Sequence, residues 1–429
     1  MIDINLIREN KEKVKLNIEK KFQHQKLILV DQVFELDQKF RDLKQKSDQL
    51  RNTRNQKSAE IGSLMRDKKQ KEVEVIKLEM EKIKEEITEL EKQEINLETQ
   101  IKEMMMQIPN IIADDVPIGK DDSENVQLNE YGQKPNYHFD VPYHVEMLEN
   151  LKGIDLEAAR KVAGHGFYYL IGDVARLHSA ILTYARDFMI DKGFTYCIPP
   201  FMIRGEVVDG VMSFAERDAM MYKIENEDLY LIGTSEHSMI SMFKDTINEI
   251  EKFPFKYTSY SPCFRKEKGA HGIEERGIYR IHQFEKQEMI VICHPNESDK
   301  WFSMMFGATI EFFQQLNIPV RTFECCSGDL ADLKYKSIDI EAWSPRQQKY
   351  FEVGSCSNLT DAQARRLNIK IKENDKKYYA HTLNNTVVAP PRMLIAFIEN
   401  NLNEDGSVNV PEVLYNYMGG LKKIRVTNE

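Results

Sequence analysis

Apolar residues recur three and four positions apart in two long stretches near the start of the chain. The first stretch contains Val33, Leu36, Phe40, Leu43 and Leu50. This heptad spacing is typical of a helix of about 30 residues that packs against another helix. The second stretch contains Val73, Ile76, Met80, Ile83, Ile87, Leu90, Leu97, Ile101, Met104 and Ile108. Only Glu94 interrupts the second pattern, and Pro109 ends it because proline lacks the amide hydrogen of a continuing helix.

Between the two stretches the pattern turns polar. Arg54 and Lys57 occupy positions that the heptad pattern would fill with apolar residues. Residues 62–69 then break the periodicity, which predicts the tip of a hairpin. Two helices of similar length joined by a short turn pack antiparallel, and each would be about 45–55 Å long at ~1.5 Å per residue. We therefore predict a projecting, coiled-coil hairpin over residues 1–110.

Basic residues concentrate on the first helix of this hairpin and at its tip. They are Lys44, Lys46, Arg51, Arg54, Lys57, Arg66, Lys68, Lys69 and Lys71. The second helix mixes Glu and Lys, as solvated helix faces usually do. The whole chain carries a net charge of −10, which argues against non-specific coating of nucleic acid. A basic arm on an acidic protein favours a polyanionic partner, although a bare heptad repeat is equally compatible with dimerisation.

The rest of the chain predicts a linker followed by a larger domain. Residues 111–150 are polar and punctuated by Pro and Gly, which is typical of a linker. From Asp155 onward, helix-like segments alternate with runs rich in β-branched and aromatic residues. These runs lack the regular order of a Rossmann fold. We therefore expect an α+β fold over residues 151–429, with a mixed, mainly antiparallel sheet and helices packed on it.

Composition narrows the class of protein. Hydrophobic residues make up 41% of the chain and charged residues 30%, and no stretch approaches the roughly 18 apolar residues of a membrane span. The charged N-terminus has no apolar segment typical of a secretion signal, so we expect a cytoplasmic protein without a membrane partner. The six cysteines form no C-x-x-C pair, which favours reduced thiols over a zinc site.

Two strand-like segments carry residues that could bind a nucleotide. Residues 261–267 end in Phe-Arg-Lys-Glu, a loop over residues 268–277 follows, and residues 278–288 form the second segment. The chain has no glycine-rich phosphate loop, so side chains must hold any nucleotide. Arg265 could clamp a phosphate with its planar guanidinium, and Phe284 could stack on a purine. Arg and Glu on neighbouring strands also commonly form ion pairs, so these segments alone leave that alternative open.

Two flanking segments make the pattern more specific. Upstream, Gly193-Phe194 and Pro199-Pro200 close a long helix before a strand. Downstream, residues 382–391 lead from Thr-Leu-Asn-Asn-Thr to Ala-Pro-Pro and then to Arg392. Together with residues 261–288, these segments resemble, in order, motifs 1, 2 and 3 of the class II aminoacyl-tRNA synthetases. The resemblance implies a homodimer formed through motif 1.

Shorter segments resemble one family within that class, the seryl-tRNA synthetases. They are Thr-Ser-Glu at 234–236, Glu-Val-Gly-Ser-Cys-Ser-Asn at 352–358, Thr-Asp at 360–361, Gln-Ala-Arg-Arg-Leu-Asn at 363–368 and the opening Met-Ile-Asp-Ile-Asn-Leu-Ile-Arg-Glu-Asn. The resemblance extends from the first residue to Pro411 and so covers both predicted domains. It implies ATP-dependent activation of L-serine and transfer of serine to the 3′ end of serine tRNA.

The resemblance implies a role for each of several ATP-binding residues. Arg265 would bind the α-phosphate, Glu267 would recognise the adenine amino group, and Phe284 would stack on the adenine ring. Arg392 would hold the far end of the triphosphate, and it completes the implied catalytic set with Arg265 and Glu267. The other implied ATP-binding positions are Lys266, Ile281, Glu352, Val353, Gly354 and Ser355.

The implied chemistry needs a metal ion but no protein nucleophile. Glu352 and Ser355 match positions that coordinate a divalent ion between the phosphates, and their oxygen atoms suit Mg²⁺. The serine carboxylate would attack the α-phosphate and release pyrophosphate, and the tRNA ribose hydroxyl would then take the seryl group. Positioning and charge neutralisation would supply the catalysis.

The implied contacts to serine are Thr234, Ser235, Glu236, Arg265, Glu288, Asn384 and Thr386. A buried carboxylate and a threonine hydroxyl can hydrogen-bond the ammonium and the hydroxyl of serine, whereas alanine would leave them unpaired. The implied partner of the arm is serine tRNA, recognised through backbone shape and phosphate by Arg51, Arg54 and Lys57. The sequence leaves open whether selenocysteine tRNA is a second substrate.

Three positions depart from the family pattern. Gly354 stands where Ser or Val is usual, Leu359 where Cys is frequent, and Pro390-Pro391 where small or hydroxylated residues precede the motif 3 arginine. We expect the prolines to be tolerated, because proline suits the first positions of a helix. Two alternative functions stay open: a synthetase paralogue with an altered acceptor or lost charging activity, and a non-catalytic coiled-coil protein that binds RNA.

Overall fold

The structure is a computed structural model that describes residues 1–267 and 277–425. Most of the predicted loop over residues 268–277 therefore lies outside the described residues. Internal contacts divide the chain into two units. The helical unit comprises residues 2–19 and 23–109, and the sheet unit comprises Met1, Lys20–Phe22 and the chain from Asn110 onward.

The helical unit is built from three helices, α1 (Ile4–Lys20), α2 (Leu27–Arg66) and α3 (Gln70–Met105). A tight turn joins α2 to α3, where Lys68 adopts a φ of 57° and the Lys69 amide donates to the Leu64 carbonyl oxygen at 3.0 Å. The turn falls inside the segment predicted as the hairpin tip. Helix α2 is 40 residues long, longer than predicted, because the helix continues through its polar half.

Interhelical ion pairs accompany that polar half of α2. Arg51 Nη2 lies 3.0 Å from Glu91 Oε1, and Lys57 Nζ lies 2.5 Å from Glu79 Oε2. Charged side chains here replace the apolar seam that marks the rest of the hairpin. A periodicity search ends where the apolar residues end, whereas the helix ends at the turn.

Helix α1 has few apolar residues but buries a narrow stripe of them. Ile7, Val14 and Ile18 are almost completely buried, at the spacing of one helix face. Arg8 of α1 forms two hydrogen bonds of 2.6 and 2.8 Å with the buried carboxylate of Asp37 in α2. This pair fixes the register between α1 and α2.

The sheet unit contains nine further α-helices and seventeen strands among the described residues. The helices are α4 (His144–Asn150), α5 (Leu156–Ala163), α6 (Gly172–Asp191), α7 (Gly205–Val211), α8 (Phe214–Met220), α9 (Ser235–Ser241), α10 (Ser298–Gln315), α11 (Ala362–Leu367) and α12 (Pro390–Asn400). The strands are β1 (Val126–Tyr131), β2 (Ile154–Asp155), β3 (Tyr169–Leu170), β4 (Thr195–Cys197), β5 (Met202–Ile203), β6 (Tyr230–Leu231), β7 (Ile247–Glu249), β8 (Phe255–Phe264), β9 (Gln283–Cys293), β10 (Val320–Glu324), β11 (Lys336–Ser344), β12 (Lys349–Thr360), β13 (Lys370–Glu373), β14 (Lys376–Tyr379), β15 (His381–Val388), β16 (Val408–Asn409) and β17 (Lys423–Ile424).

Eight of these strands form the main sheet, in the order β1-β10-β11-β12-β15-β9-β8-β4. Every neighbouring pair is antiparallel except β4 and β8. The predicted mixed, mainly antiparallel sheet is therefore confirmed. Residues Met289–Cys293 of β9 are completely buried, because helices and loops cover both faces of this central strand. Helices α6, α10 and α12 contribute buried side chains to the same core.

The segment predicted as a linker, residues 111–150, contains the edge strand of this sheet. Strand β1 pairs with β10, with Val126 opposite Glu324 and Tyr131 opposite Val320. Nearly every side chain of β1 is exposed, and only Val126 and Leu128 alternate with polar residues in its sequence. No helix of the described part of the chain is long and apolar enough to cross a membrane.

Candidate active site

Strand β9 forms one wall of a cavity in the sheet unit, and its side chains alternate between two faces. Phe284, Lys286 and Glu288 line the cavity. Gln287 points to the other side, where its amide nitrogen donates to Thr258 Oγ1 at 2.7 Å. The antiparallel pairing of β8 with β9 carries the chain directly to Arg265, whose backbone amide donates to the carbonyl oxygen of His282 at 2.9 Å.

The cavity has a volume of about 470 Å³ and gathers predicted residues from distant parts of the sequence. The predicted residues that line it are Thr234, Glu236, Arg265, Glu267, Ile281, Phe284, Glu288, Glu352, Val353, Gly354, Ser355, Asn384, Thr386 and Arg392. Two predicted residues are not part of its lining as the described residues outline it. Ser235 is completely buried in the first turn of α9, and the backbone amide of Lys266 donates to the Met220 carbonyl oxygen at 2.9 Å. Arg51, Arg54 and Lys57 lie in the helical unit.

Two arginines and two aromatic rings shape one end of the cavity. Arg265 Nε donates to the Gly233 carbonyl oxygen at 3.1 Å, and its guanidinium carbon lies 5.4 Å from the centre of the Phe284 ring. Arg392 Nη1 lies 3.0 Å from Glu352 Oε2, and its guanidinium lies 4.9 Å from the centre of the Tyr279 ring. Planar cations held beside aromatic rings suit a ligand that combines phosphates with a flat base.

The two prolines before Arg392 are compatible with this position of its side chain. Pro390 and Pro391 occupy the first positions of α12, where the missing amide hydrogens would have no helical partner anyway. The side chain of the next residue, Arg392, then reaches the cavity. At Gly354 a Cβ atom would meet its nearest neighbour, the Cβ of Thr386, at 3.4 Å, so the glycine leaves a little space rather than relieving a clash.

Oxygen donors cluster beside Glu352 on strands β11 and β12. Asp339 is opposite Ser355 in the strand register, and Lys334 Nζ lies 3.4 Å from Ser355 Oγ. Burial, together with the nearby charge of Glu352, raises the pKa of Asp339 to about 6. Carboxylate and hydroxyl oxygens such as these are the ligands that a hard divalent cation such as Mg²⁺ prefers.

A neighbouring group of possible metal ligands, Cys325, Asp329 and Asp339, has ligand atoms within 4.8 Å of one another. Burial raises the pKa of the Cys325 thiol, so this sulfur stays protonated near neutral pH. A protonated thiol is a poor ligand for soft metals. The carboxylates of Asp329 and Asp339 therefore belong with the oxygen ligands of Glu352 and Ser355, which line the same cavity.

Two carboxylates and one lysine form the other end of the cavity. Glu288 is ion-paired with Lys286, and Thr234 Oγ1 donates to Glu288 Oε2 at 3.3 Å. The protein desolvates the Glu236 carboxyl group, and this burial, reinforced by the charge of Glu288, raises its pKa to about 7. Thr234 caps the short helix α9 and so fixes Glu236, whose amide donates to Thr234 Oγ1 at 3.4 Å. When ionised, the carboxylates of Glu236 and Glu288 would suit a small cationic group.

Asn384 and Thr386 complete this end from the neighbouring strand β15, where Thr386 is opposite Glu288. Burial, together with Arg265 and Lys286, lowers the pKa of His237 to about 3. The imidazole of His237 is therefore neutral and adds no charge to the cavity.

Sequence reasoning missed several residues that line or support the cavity. They are Lys286, Lys334, Asp339, Tyr279 and Gln363. Lys286 could have been found, because it stands two residues from both Phe284 and Glu288 and so shares their strand face. The positions of Lys334, Asp339 and Gln363 depend on long-range pairing that no local pattern reports.

Comparison with known proteins agrees with this arrangement. Residues 1–112 match the family model of the seryl-tRNA synthetase N-terminal domain, and residues 221–401 match that of the tRNA synthetase class II core domain (G, H, P, S and T). The serine–tRNA ligase of Thermococcus onnurineus is 40% identical to this chain over 441 residues, which cover 98% of this chain and 96% of that protein.

Two solved structures are similar along the whole chain. The seryl-tRNA synthetase of Pyrococcus horikoshii complexed with ATP superimposes with a TM-score of 0.93 at 39% identity and covers 100% of both chains. The cytoplasmic serine–tRNA ligase of Naegleria fowleri in complex with AMP gives a TM-score of 0.88 at 32% identity, covering 100% of this chain and 99% of that one. The fold, the cavity and these similarities together show that the chain belongs to the seryl-tRNA synthetase family.

Proposed function

We propose that this protein activates L-serine with ATP and transfers it to the 3′ end of serine tRNA. An oxygen of the serine carboxylate attacks the α-phosphorus, the bond to the β-phosphate oxygen breaks, and pyrophosphate leaves. The ribose hydroxyl of the tRNA then attacks the carbonyl carbon of seryl-adenylate, and AMP leaves. The observation that carries the proposal is that two arginines, Arg265 and Arg392, and two carboxylates, Glu236 and Glu288, line one cavity.

The nucleotide end assigns a role to each arginine. Arg265, held by the Gly233 carbonyl oxygen beside Phe284, would bind the α-phosphate while Phe284 stacks on the adenine ring. Glu267 would accept from the adenine amino group, and Arg392 would bind the far end of the triphosphate. These charges neutralise the phosphates as the α-phosphorus is attacked. The remaining positions proposed to contact ATP are Lys266, Ile281, Val353 and Gly354.

Glu352 and Ser355 would hold Mg²⁺, with Asp339 next to them. When bound, the ion would neutralise phosphate charge. Glu352 is paired with Arg392 at 3.0 Å. Glu352 would therefore contact both Mg²⁺ and the Arg392 guanidinium and set the distance between them.

The carboxylate end supports selection of serine. Glu288 and Thr234 already share a hydrogen bond of 3.3 Å, and both would engage the ammonium and hydroxyl of serine. Glu236 would add a second carboxylate for the ammonium. Alanine would leave these buried polar groups unpaired, which is costly. Asn384 and Thr386, which line the cavity, would complete the pocket by shape.

For the helical unit we propose binding of serine tRNA through basic residues of α2. Arg51 and Lys57 are already paired with Glu91 and Glu79 of α3, so an RNA phosphate would have to compete with those carboxylates. Arg54 forms no ion pair within the described part of the chain and is the readiest of the three to contact phosphate. We further propose a cytoplasmic homodimer, with selenocysteine tRNA as a second candidate substrate.

Isotope exchange tests the proposed activation step. With ATP, Mg²⁺ and radiolabelled pyrophosphate, we expect label to enter ATP when serine is added, and far less with alanine. Absence of serine-dependent exchange in folded protein would refute the proposal. Exchange without charging of serine tRNA would instead favour a paralogue with another acceptor, and RNA binding without exchange would favour a non-catalytic protein.

A further inference from the structure

Gln363 lies behind the carboxylate end of the cavity, on helix α11, and is completely buried. Its Nε2 donates to Glu236 Oε1 at 2.8 Å and to the Val211 carbonyl oxygen at 3.2 Å. Its Oε1 accepts from Thr382 Oγ1 at 2.7 Å. Both hydrogens of the amide nitrogen and the amide oxygen are therefore engaged at once.

These partners fix which way the amide group of Gln363 faces. The Val211 carbonyl oxygen can only accept a hydrogen bond, so the neighbouring amide atom must be the nitrogen. The same nitrogen then meets Glu236, and the oxygen meets the Thr382 hydroxyl. Because Gln363 has no freedom to rotate, it presents a fixed donor to one oxygen of Glu236.

A fixed hydrogen-bond donor shifts the equilibrium between the protonated and the ionised form of Glu236. Burial, and next the charge of Glu288, raise the pKa of Glu236 to about 7, while the hydrogen bond from Gln363 and the charges of Lys286 and Lys334 act in the opposite direction. Glu288 and Lys286 face Glu236 from β9, and Lys334 from the segment before β11. A neutral donor favours the carboxylate without adding a charge that would repel a cationic ligand.

We propose that Gln363 is a positioning residue that holds Glu236 ionised and correctly oriented to receive the ammonium group of serine. This inference rests on the proposed activation of serine. Gln363 itself touches no substrate. Gln363 would act only through Glu236, so replacing it should change the kinetic parameters for serine rather than those for ATP.

The test replaces Gln363 by methionine, which keeps the length of the side chain but donates nothing. A hydrogen bond to a charged group is lost, so Q363M should lower kcat/KM for serine about tenfold or more, mainly through KM, with the KM for ATP little changed. Loss of the donor raises the pKa of Glu236, so the acid limb of kcat/KM for serine should move about one unit to higher pH. The defect should accordingly shrink between pH 6.5 and pH 8.5.

Q287M is the matched control, because Gln287 is equally buried but donates to Thr258 on the opposite face of β9. It should lose stability comparably without moving the acid limb. Thr382→Val removes only the hydroxyl that orients the Gln363 amide, and it should produce the same serine-specific shift more weakly, which keeps the test available if Q363M does not fold.

An unchanged acid limb in Q363M and T382V, with serine and ATP affected equally, would overturn the proposal and leave Gln363 a structural residue only. Failure of the wild-type protein to show serine-dependent exchange would be a different result. It would refute the proposed function, whereas an active wild type with an unshifted Q363M refutes only the role of Gln363.

Discussion

The ion pair between Lys286 and Glu288 lies almost entirely out of water. The exposed fractions of the two side chains are 7% and 1%, and they stand two residues apart on the same face of β9. Thr234 supplies a further hydrogen bond to Glu288 at 3.3 Å. Removing either charge should therefore leave the other buried without its ion-pair partner.

The expected cost is large for a single substitution. Breaking a buried pair from one side costs about 3–5 kcal/mol, whereas replacing both partners by neutral residues of similar size is often neutral or stabilising. K286M and E288Q should each destabilise the sheet unit by about that amount. The double variant K286M/E288Q should recover much of the loss. At about 2 °C per kcal/mol for a large unit, each single variant would lower Tm by up to about 10 °C.

Tryptophan fluorescence can follow this unfolding selectively. The chain has two tryptophans, and both, Trp301 and Trp343, lie in the sheet unit. Thermal unfolding of the four proteins without ligand gives a double-mutant cycle. If the losses of the single variants simply add in the double variant, the two charges do not interact and the reasoning is wrong.

Three further outcomes follow from contacts elsewhere in the molecule. R54A should reduce charging of serine tRNA more than R51A does, with serine-dependent pyrophosphate exchange unchanged in both; equal charging by R54A and the wild type would contradict the proposed contact. Burial alone would raise the pKa of Asp37, but the hydrogen bonds and charges of Arg8 and Arg41 together outweigh it and hold that pKa below its ordinary value. Stability gained this way is present near neutral pH and lost as pH falls through the lowered pKa, so circular dichroism should show a smaller acid loss of the helical unit in D37N. Phe397 is completely buried, and F397A should cost the sheet unit about 3–5 kcal/mol in denaturant unfolding.

How far the sequence predicts the fold depends on the range of each interaction. The hairpin of α2 and α3 was predictable because a helix seam repeats within seven residues. Strand β1 was missed because only Val126 and Leu128 alternate with polar residues in it, and both are exposed, as an edge strand allows. Helix α1 was missed because its buried stripe holds only three apolar residues, Ile7, Val14 and Ile18.

The same distinction applies to the cavity. Arg265, Phe284 and Glu288 stand in one continuous segment, so their sequence spacing already reports their shared position. Gln363 reaches Glu236 across 127 residues, and Asp339 reaches Ser355 only through the pairing of β11 with β12. Local spacing cannot reveal such contacts, since the register of two strands is set by packing across the whole sheet.

Strand β9 shows how this packing constrains function. Its cavity face carries Lys286 and Glu288, while its other face carries Glu285, 3.1 Å from His178, and Gln287, bonded to Thr258. A shift of one residue in the pairing of β9 would exchange its two faces. Glu285 and Gln287 would then face the cavity, and the Lys286–Glu288 pair would face the core. The polar contacts of Glu285 and Gln287 therefore oppose such a shift in register. They protect the placement of the groups proposed to select serine, even though none of them lines the cavity.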